Sequence, residues 1–101
     1  MFVYGSLRDS ALCRKLLERR VGRMRAVLPG FRRARIRGYA YPVARKESKA
    51  TIRGVLLLGL SKADMKALDA YEEIPHGPYR RITVFVLVAN RPFRAFTYTG
   101  K

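Results

Sequence analysis

Residues 51–72 read TIRGVLLLGLSKADMKALDAYE, and this stretch decides the fold. The run Val55-Leu56-Leu57-Leu58 is apolar at every position, so a strand here must be covered on both faces. Just beyond it, Ser61 is placed to cap a helix. Asp64 then takes the third helical position, where a carboxylate suits the positive end of the helix dipole. Leu60 and Met65 have the spacing of an apolar contact across that cap. At about 100° per helical residue, Met65, Leu68 and Tyr71 define one apolar arc. Glu72 lies one turn beyond Leu68 and two beyond Met65, inside the same arc. A carboxylate so placed faces the core or a pocket, and burial lifts its pKa toward the range of a general base. The alternative is a helix that ends one residue early and leaves Glu72 in a solvated loop. Glu73 lies off the arc and reads as surface.

Toward the N-terminus, residues 2–7 read as a strand that breaks at Gly5-Ser6. Asp9 or Ser10 then caps a helix whose stripe is Leu12, Cys13, Leu16 and Leu17, with Gly22 as its stop. Residues 24–28 and 31–37 read as strands joined by a turn at Pro29-Gly30. In the second of these, Arg33, Arg35 and Arg37 fall on one face at period two. Residues 39–43 and 51–60 are two more strand candidates, separated by a polar loop at Arg45–Lys49. Toward the C-terminus, strands over about 79–89 and 93–99 flank a turn at Asn90-Arg91-Pro92. The order β-α-β-β-β-β-α-β-β predicts an α+β fold, a small mixed β-barrel of six or seven strands flanked by two main helices. Closure of the sheet protects its edges. The first strand is expected inside the sheet, beside the strands at about 52–59 and 82–89, with Glu72 near its end.

The chain has 101 residues and one cysteine, so residues 1–101 make a single domain without a disulfide framework. Its apolar runs are too short to span a bilayer, and the opening Met1–Tyr4 stretch is too short for a signal-peptide core. These features give the expectation of a cytoplasmic protein with no membrane association. The net charge of +15 is carried mostly by arginine and spread along the chain. Such a field attracts nucleic acid, anionic membrane or acidic small molecules, and it also fits an ordinary solvated surface.

Few residues offer chemistry. Tyr4-Gly5-Ser6-Leu7 runs from strand to turn to helix, where successive N–H groups can form an anion or oxyanion nest. Ser6 lacks a Gly-x-Ser-x-Gly elbow and a His/Asp pair, so it is not read as a nucleophile. Cys13 sits on an apolar stripe and reads as core packing. His76, the only histidine, reads as a solvated loop residue. One His, one Cys and scattered carboxylates make no metal-ligand spacing, so no metal is expected.

Taken together, Phe2-Val3-Tyr4-Gly5-Ser6-Leu7, Tyr41-Pro42, Ile52-Arg53-Gly54-Val55, Leu68-Asp69-Ala70-Tyr71-Glu72, Tyr79-Arg80-Arg81 and Phe96-Thr97-Tyr98 resemble the γ-glutamylcyclotransferase-like (AIG2-like) family. The matches follow the family's order and cover nearly the whole chain. The resemblance implies a small mixed barrel and a cofactor-independent intramolecular acyl transfer. In that reaction a γ-glutamyl amino acid or amine becomes 5-oxoproline and a released amine. It implies Glu72 as the catalytic acid/base, and Tyr4, Gly5, Ser6, Leu7, Tyr41, Pro42 and Tyr79 as substrate-binding residues. Val43 departs from the pattern, since members often have glycine after Tyr-Pro, and a changed pocket wall is expected there. The sequence given also stops after the last strand, without the tail many members carry over the site.

The competing reading is a non-enzymatic basic protein binding nucleic acid or an anionic small molecule, with Arg33, Arg35 and Arg37 on phosphates. The sequence offers no interleaved exposed aromatics for base stacking. Binding to nucleic acid is therefore expected to be weak, nonspecific and lost with added salt. A bare last strand would allow pairing into a homodimer.

Overall fold

The computed structural model describes residues 1–38 and 42–101. Their order is β1 (Phe2–Val3), a 3₁₀ turn (Ser6–Arg8), α1 (Ser10–Leu17), β2 (Gly22–Ala34), β3 (Val43–Leu58), α2 (Lys62–Tyr71), β4 (Tyr79–Val88) and β5 (Arg91–Gly100). The strands close into a barrel in the order β1-β3-β2-β4-β5. Among the described residues no helix is long and apolar enough to cross a membrane.

The barrel has five strands where six or seven were expected, because two pairs of candidates fuse. Pro29-Gly30 is not a hairpin turn. β2 runs straight through it, with Gly30 at φ 82° and the register shifting from Pro29↔Thr51 to Phe31↔Lys46. The polar residues 45–49 lie opposite this irregularity inside β3, so turn signals on both strands mark one bulge in a single long hairpin. The candidate strand at 39–43 falls partly outside the described residues, and its last residue, Val43, begins β3.

β1 is shorter than residues 2–7. It pairs antiparallel with β3, Phe2 opposite Leu56, and parallel with β5, Phe2 opposite Thr97. Its second neighbour is thus β5 and not the strand at 82–89. The last strand is therefore not bare, since β5 holds β4 on one side and β1 on the other. Gly54 permits the close approach of β1 to β3. A Cβ there would stand 2.7 Å from Phe2 Cζ and press on the Val3 carbonyl.

Alternation along the strands splits the apolar residues between two cores. Phe2, Tyr4, Leu28, Ile52, Leu56, Val84 and Val86 fill the barrel. Val3, Leu57 and Tyr98 face outward and are covered by Leu7, Cys13 and Leu17 from α1 and its turn and by Leu68 from α2. Val55, Leu56 and Leu57 thus sit between barrel and helices, which is why both faces are apolar there, while Leu58 beyond them is exposed. Asp9 caps α1 by accepting from Ala11 N at 2.9 Å. That helix stops at Leu17, with Glu18 left-handed at φ 59°, while Gly22 opens β2. Ser61 and Asp64 form the reciprocal box that starts α2, and Asp64 also pairs with Arg19.

Candidate active site

At the end of β1 the chain leaves the barrel, and the 3₁₀ turn carries it under α2. A cavity of about 250 Å³ opens between them. Its walls include Tyr4, Gly5, Ser6 and Leu7 on one side, Glu72 and Glu73 on another, and Pro42, Tyr79 and Tyr98 on a third. Six of the seven expected binding residues are therefore brought to Glu72. Tyr41 lies outside the described residues. Val43 does not line the cavity; it is buried against Gly100.

α2 does end at Tyr71, with Glu72 as its C-cap, yet Glu72 is half-buried all the same. Its amide still donates to Leu68 O at 3.0 Å, which keeps the residue in helical register. Burial, and secondarily the charge of Glu73, push its carboxyl from the ordinary 4.5 up to about 7. Among the described residues no cation forms an ion pair with it, in a chain of +15. Glu73 is exposed as expected, in a left-handed turn at φ 58°, but it borders the cavity and acts on Glu72. Tyr71 is not in the core. It is exposed at the rim, where its hydroxyl and Ser6 Oγ share a hydrogen bond of 2.8 Å.

The tyrosines form the cavity's frame. Tyr4 is buried, with its hydroxyl donating to Tyr98 O and accepting from Ala44 N at 2.8 Å. Burial raises its pKa. Tyr79 donates to Pro42 O at 3.2 Å, and burial, then the charge of Glu72, push it up to about 12. Tyr98 donates to Asp69 Oδ1 at 2.7 Å. Burial first, and that hydrogen bond second, raise its pKa. All three phenols therefore stay protonated near neutrality, as donors or fixed dipoles and not as bases.

Gly5 has φ −111° and so does not use the left-handed region. A Cβ built on it meets nothing within 4 Å, so the glycine leaves open space beside the turn. No side chain among the described residues caps the turn, and its opening N–H groups have no partner within the helix. Leu7 lines the cavity while packing in the core under the helices.

Away from the cavity, Arg33, Arg35 and Arg37 form no row. β2 ends at Ala34, and Arg33 reaches over the barrel end to donate to Tyr4 O at 3.1 Å and Arg53 O at 2.9 Å. Cys13 is buried in the core and burial raises its thiol pKa, while His76 is exposed in a turn. The lining residues not foreseen as part of the site are Phe2, Val3, Tyr71, Glu73, Pro78 and Tyr98. For Tyr98 the available signal was its place in the Phe96-Thr97-Tyr98 stretch that carries the family resemblance.

A closed barrel with a half-buried carboxylate that has no cationic partner among the described residues, in a tyrosine-framed cavity, is the architecture of a small-molecule site. The chain belongs to the gamma-glutamyl cyclotransferase, AIG2-like family, whose profile matches residues 1–101. It is 34% identical over 87 residues to AIG2-like protein A of Arabidopsis thaliana, covering 86% of this chain and 51% of that protein. It is likewise 34% identical over 90 residues to AIG2-like protein C of the same plant, covering 89% and 51%. The solution structure of Arabidopsis thaliana At5g39720.1 superposes with a TM-score of 0.86 at 32% identity, covering 98% of this chain and 66% of that one. The chain spans about half the length of the curated relatives it matches.

Proposed function

We propose that this domain is a cofactor-independent cyclotransferase that converts a γ-glutamyl compound to 5-oxoproline and a free amine, with Glu72 as proton shuttle. The observation that carries this reading is a carboxylate lifted to about 7 and facing the uncapped Gly5–Leu7 turn across one cavity. The substrate's α-ammonium gives a proton to Glu72, and the freed amine attacks its own γ-carbonyl. The new C–N bond closes the ring, and the former amide C–N bond breaks. Of the three ammonium protons, one stays on the ring nitrogen. The other two pass through Glu72, one at a time, to the leaving nitrogen, which departs as an ammonium. Holding amine and carbonyl together supplies the effective-molarity gain of an intramolecular reaction. The N–H groups of the Gly5–Leu7 turn are offered either to the developing oxyanion or to the substrate's α-carboxylate.

The test is incubation with a panel of γ-glutamyl amino acids and amines, following 5-oxoproline. We expect turnover of at least one, lowered by about 10²–10⁴ in Glu72→Gln, which keeps the side chain's size but not its basicity. Turnover by the variant at the wild-type rate removes Glu72 from the mechanism. A panel without any reaction removes the enzyme reading.

A further inference from the structure

The helices cover only part of the barrel's outside. On the β4–β5 hairpin the inward positions are buried, as at Val84↔Ala95, and the outward ones are Thr83↔Phe96 and Phe85↔Arg94. Phe85 is 66% exposed and Phe96 44%, so two phenylalanine rings lie on an uncovered sheet face. They are diagonal neighbours, about 7–8 Å apart by sheet geometry. Arg94 stands directly opposite Phe85, and the Arg81 guanidinium lies over the Phe96 ring at 4.9 Å. Neither strand carries a single Asp or Glu. Beyond β4, where Leu87 faces Val27, the surface continues into a groove of about 610 Å³ whose charged lining is Arg8, Arg25 and Arg53.

We propose that this outer face binds single-stranded nucleic acid, with bases stacked on Phe85 and Phe96 and phosphates held by Arg94, Arg25 and Arg53. Exposed rings interleaved with arginine are what a splayed single strand requires, since each unpaired base offers a π-face and each phosphate a charge. A duplex hides its base faces and gains only the charge. A second copy brings arginine against arginine across a two-fold contact, which opposes self-pairing. The expected lack of interleaved exposed aromatics does not hold on this face, because Phe85 and Phe96 on neighbouring strands both point outward. The hairpin register alone makes them neighbours. The face is separate from the Glu72 cavity and independent of the cyclotransferase reading.

The test uses the full chain with fluorescent oligo-dT and oligo-U, a duplex of equal length, and poly-glutamate as a competing acidic polymer. Single strands are expected to bind at least tenfold tighter than duplex. Phe85→Ala and Phe96→Ala should each weaken binding about 5- to 100-fold while leaving the salt dependence unchanged. Arg94→Gln and Arg25→Gln should each reduce the slope of log K against log salt by about one. All four side chains are exposed, and unchanged thermal midpoints confirm that the variants fold. Equal affinity for duplex and single strand, indifference to both phenylalanine variants, or preference for poly-glutamate overturns the proposal. A dimer that Phe85→Ala dissociates also overturns it, because the face would then be a self-interface.

Discussion

The Tyr98 hydroxyl on β5 holds one oxygen of Asp69 at 2.7 Å while Arg81 on β4 holds the other at 2.6 Å. Asp69 sits three residues before Glu72 on α2, so two strands fix the helix end that leads to the Glu72 carboxylate. Tyr98→Phe keeps the packing and leaves one buried-side oxygen of a charged group unpaired. It should cost about 1–3 kcal/mol of stability by urea unfolding. It should also lower kcat more than it raises KM, because the binding walls stay while Glu72 loses its aim.

With Glu72 lifted to about 7, the base form needed to accept the ammonium proton builds up through neutrality. The rate should therefore rise with pH and level off above about 7. Glu73→Gln removes the nearby negative charge, so its profile should shift to lower pH with little loss of maximal rate. A rate that is flat between pH 5 and 8 contradicts the assignment.

The same group should shape stability in the opposite direction to most carboxylates. Its pKa is raised on folding from 4.5, so the folded state holds the proton more tightly. Stability is full below about 4.5 and declines as pH rises through about 7. Glu72→Gln should abolish that decline. Asp64 provides the contrast: Arg19 and the Ser61 amide hold its pKa below 3.8. Its contribution is present above 3.8 and lost as pH falls through the depressed value, so Asp64→Asn should flatten the acid limb. Thermal midpoints measured from pH 2 to 9 separate the two.

Tyr4→Phe removes a hydroxyl that serves two buried backbone groups, Tyr98 O and Ala44 N. Both lose that partner. We expect a loss of about 2–4 kcal/mol, larger than for Tyr71→Phe at the exposed rim. Chemical denaturation of the two variants checks the order.

Among the described residues lining the cavity are two glutamates and no lysine or arginine. A leaving amine that bears its own carboxylate meets repulsion there, whereas a neutral or cationic one does not. γ-Glutamyl amines should therefore exceed γ-glutamyl amino acids in kcat/KM by about tenfold. Parallel assays of matched pairs decide this.

The helix carrying Glu72 was readable because its signals are local: a cap, a staple and an arc of period 3.6. The barrel's strand number was not. Pro29-Gly30 and the polar 45–49 stretch each have the composition of a turn, and only their pairing across the hairpin shows them to be one bulge. The site's frame was similarly divided. Tyr4, Gly5 and Ser6 announce themselves in one turn, but the neighbourhood of Tyr98 depends on β5 lying beside β1. The exposed Phe85 and Phe96 were missed for the same reason. A period of two marks sides of a strand without saying which side a helix covers.

Phe2 accepts a hydrogen bond from Thr97 across 95 positions of sequence, and that contact closes the barrel. Few pairs are more distant along the chain, so this seam carries the largest loop-closure entropy and is expected to form late in folding. The cavity straddles it, with Phe2, Val3 and Tyr4 on one side and Tyr98 on the other. A partly folded chain with the two long hairpins formed but the seam open has no enclosed site, and its Glu72 is an ordinary solvated acid. The raised carboxyl of Glu72 thus belongs to the fully closed molecule, and recovery of the proposed activity on refolding should follow the slowest structural step and none before it.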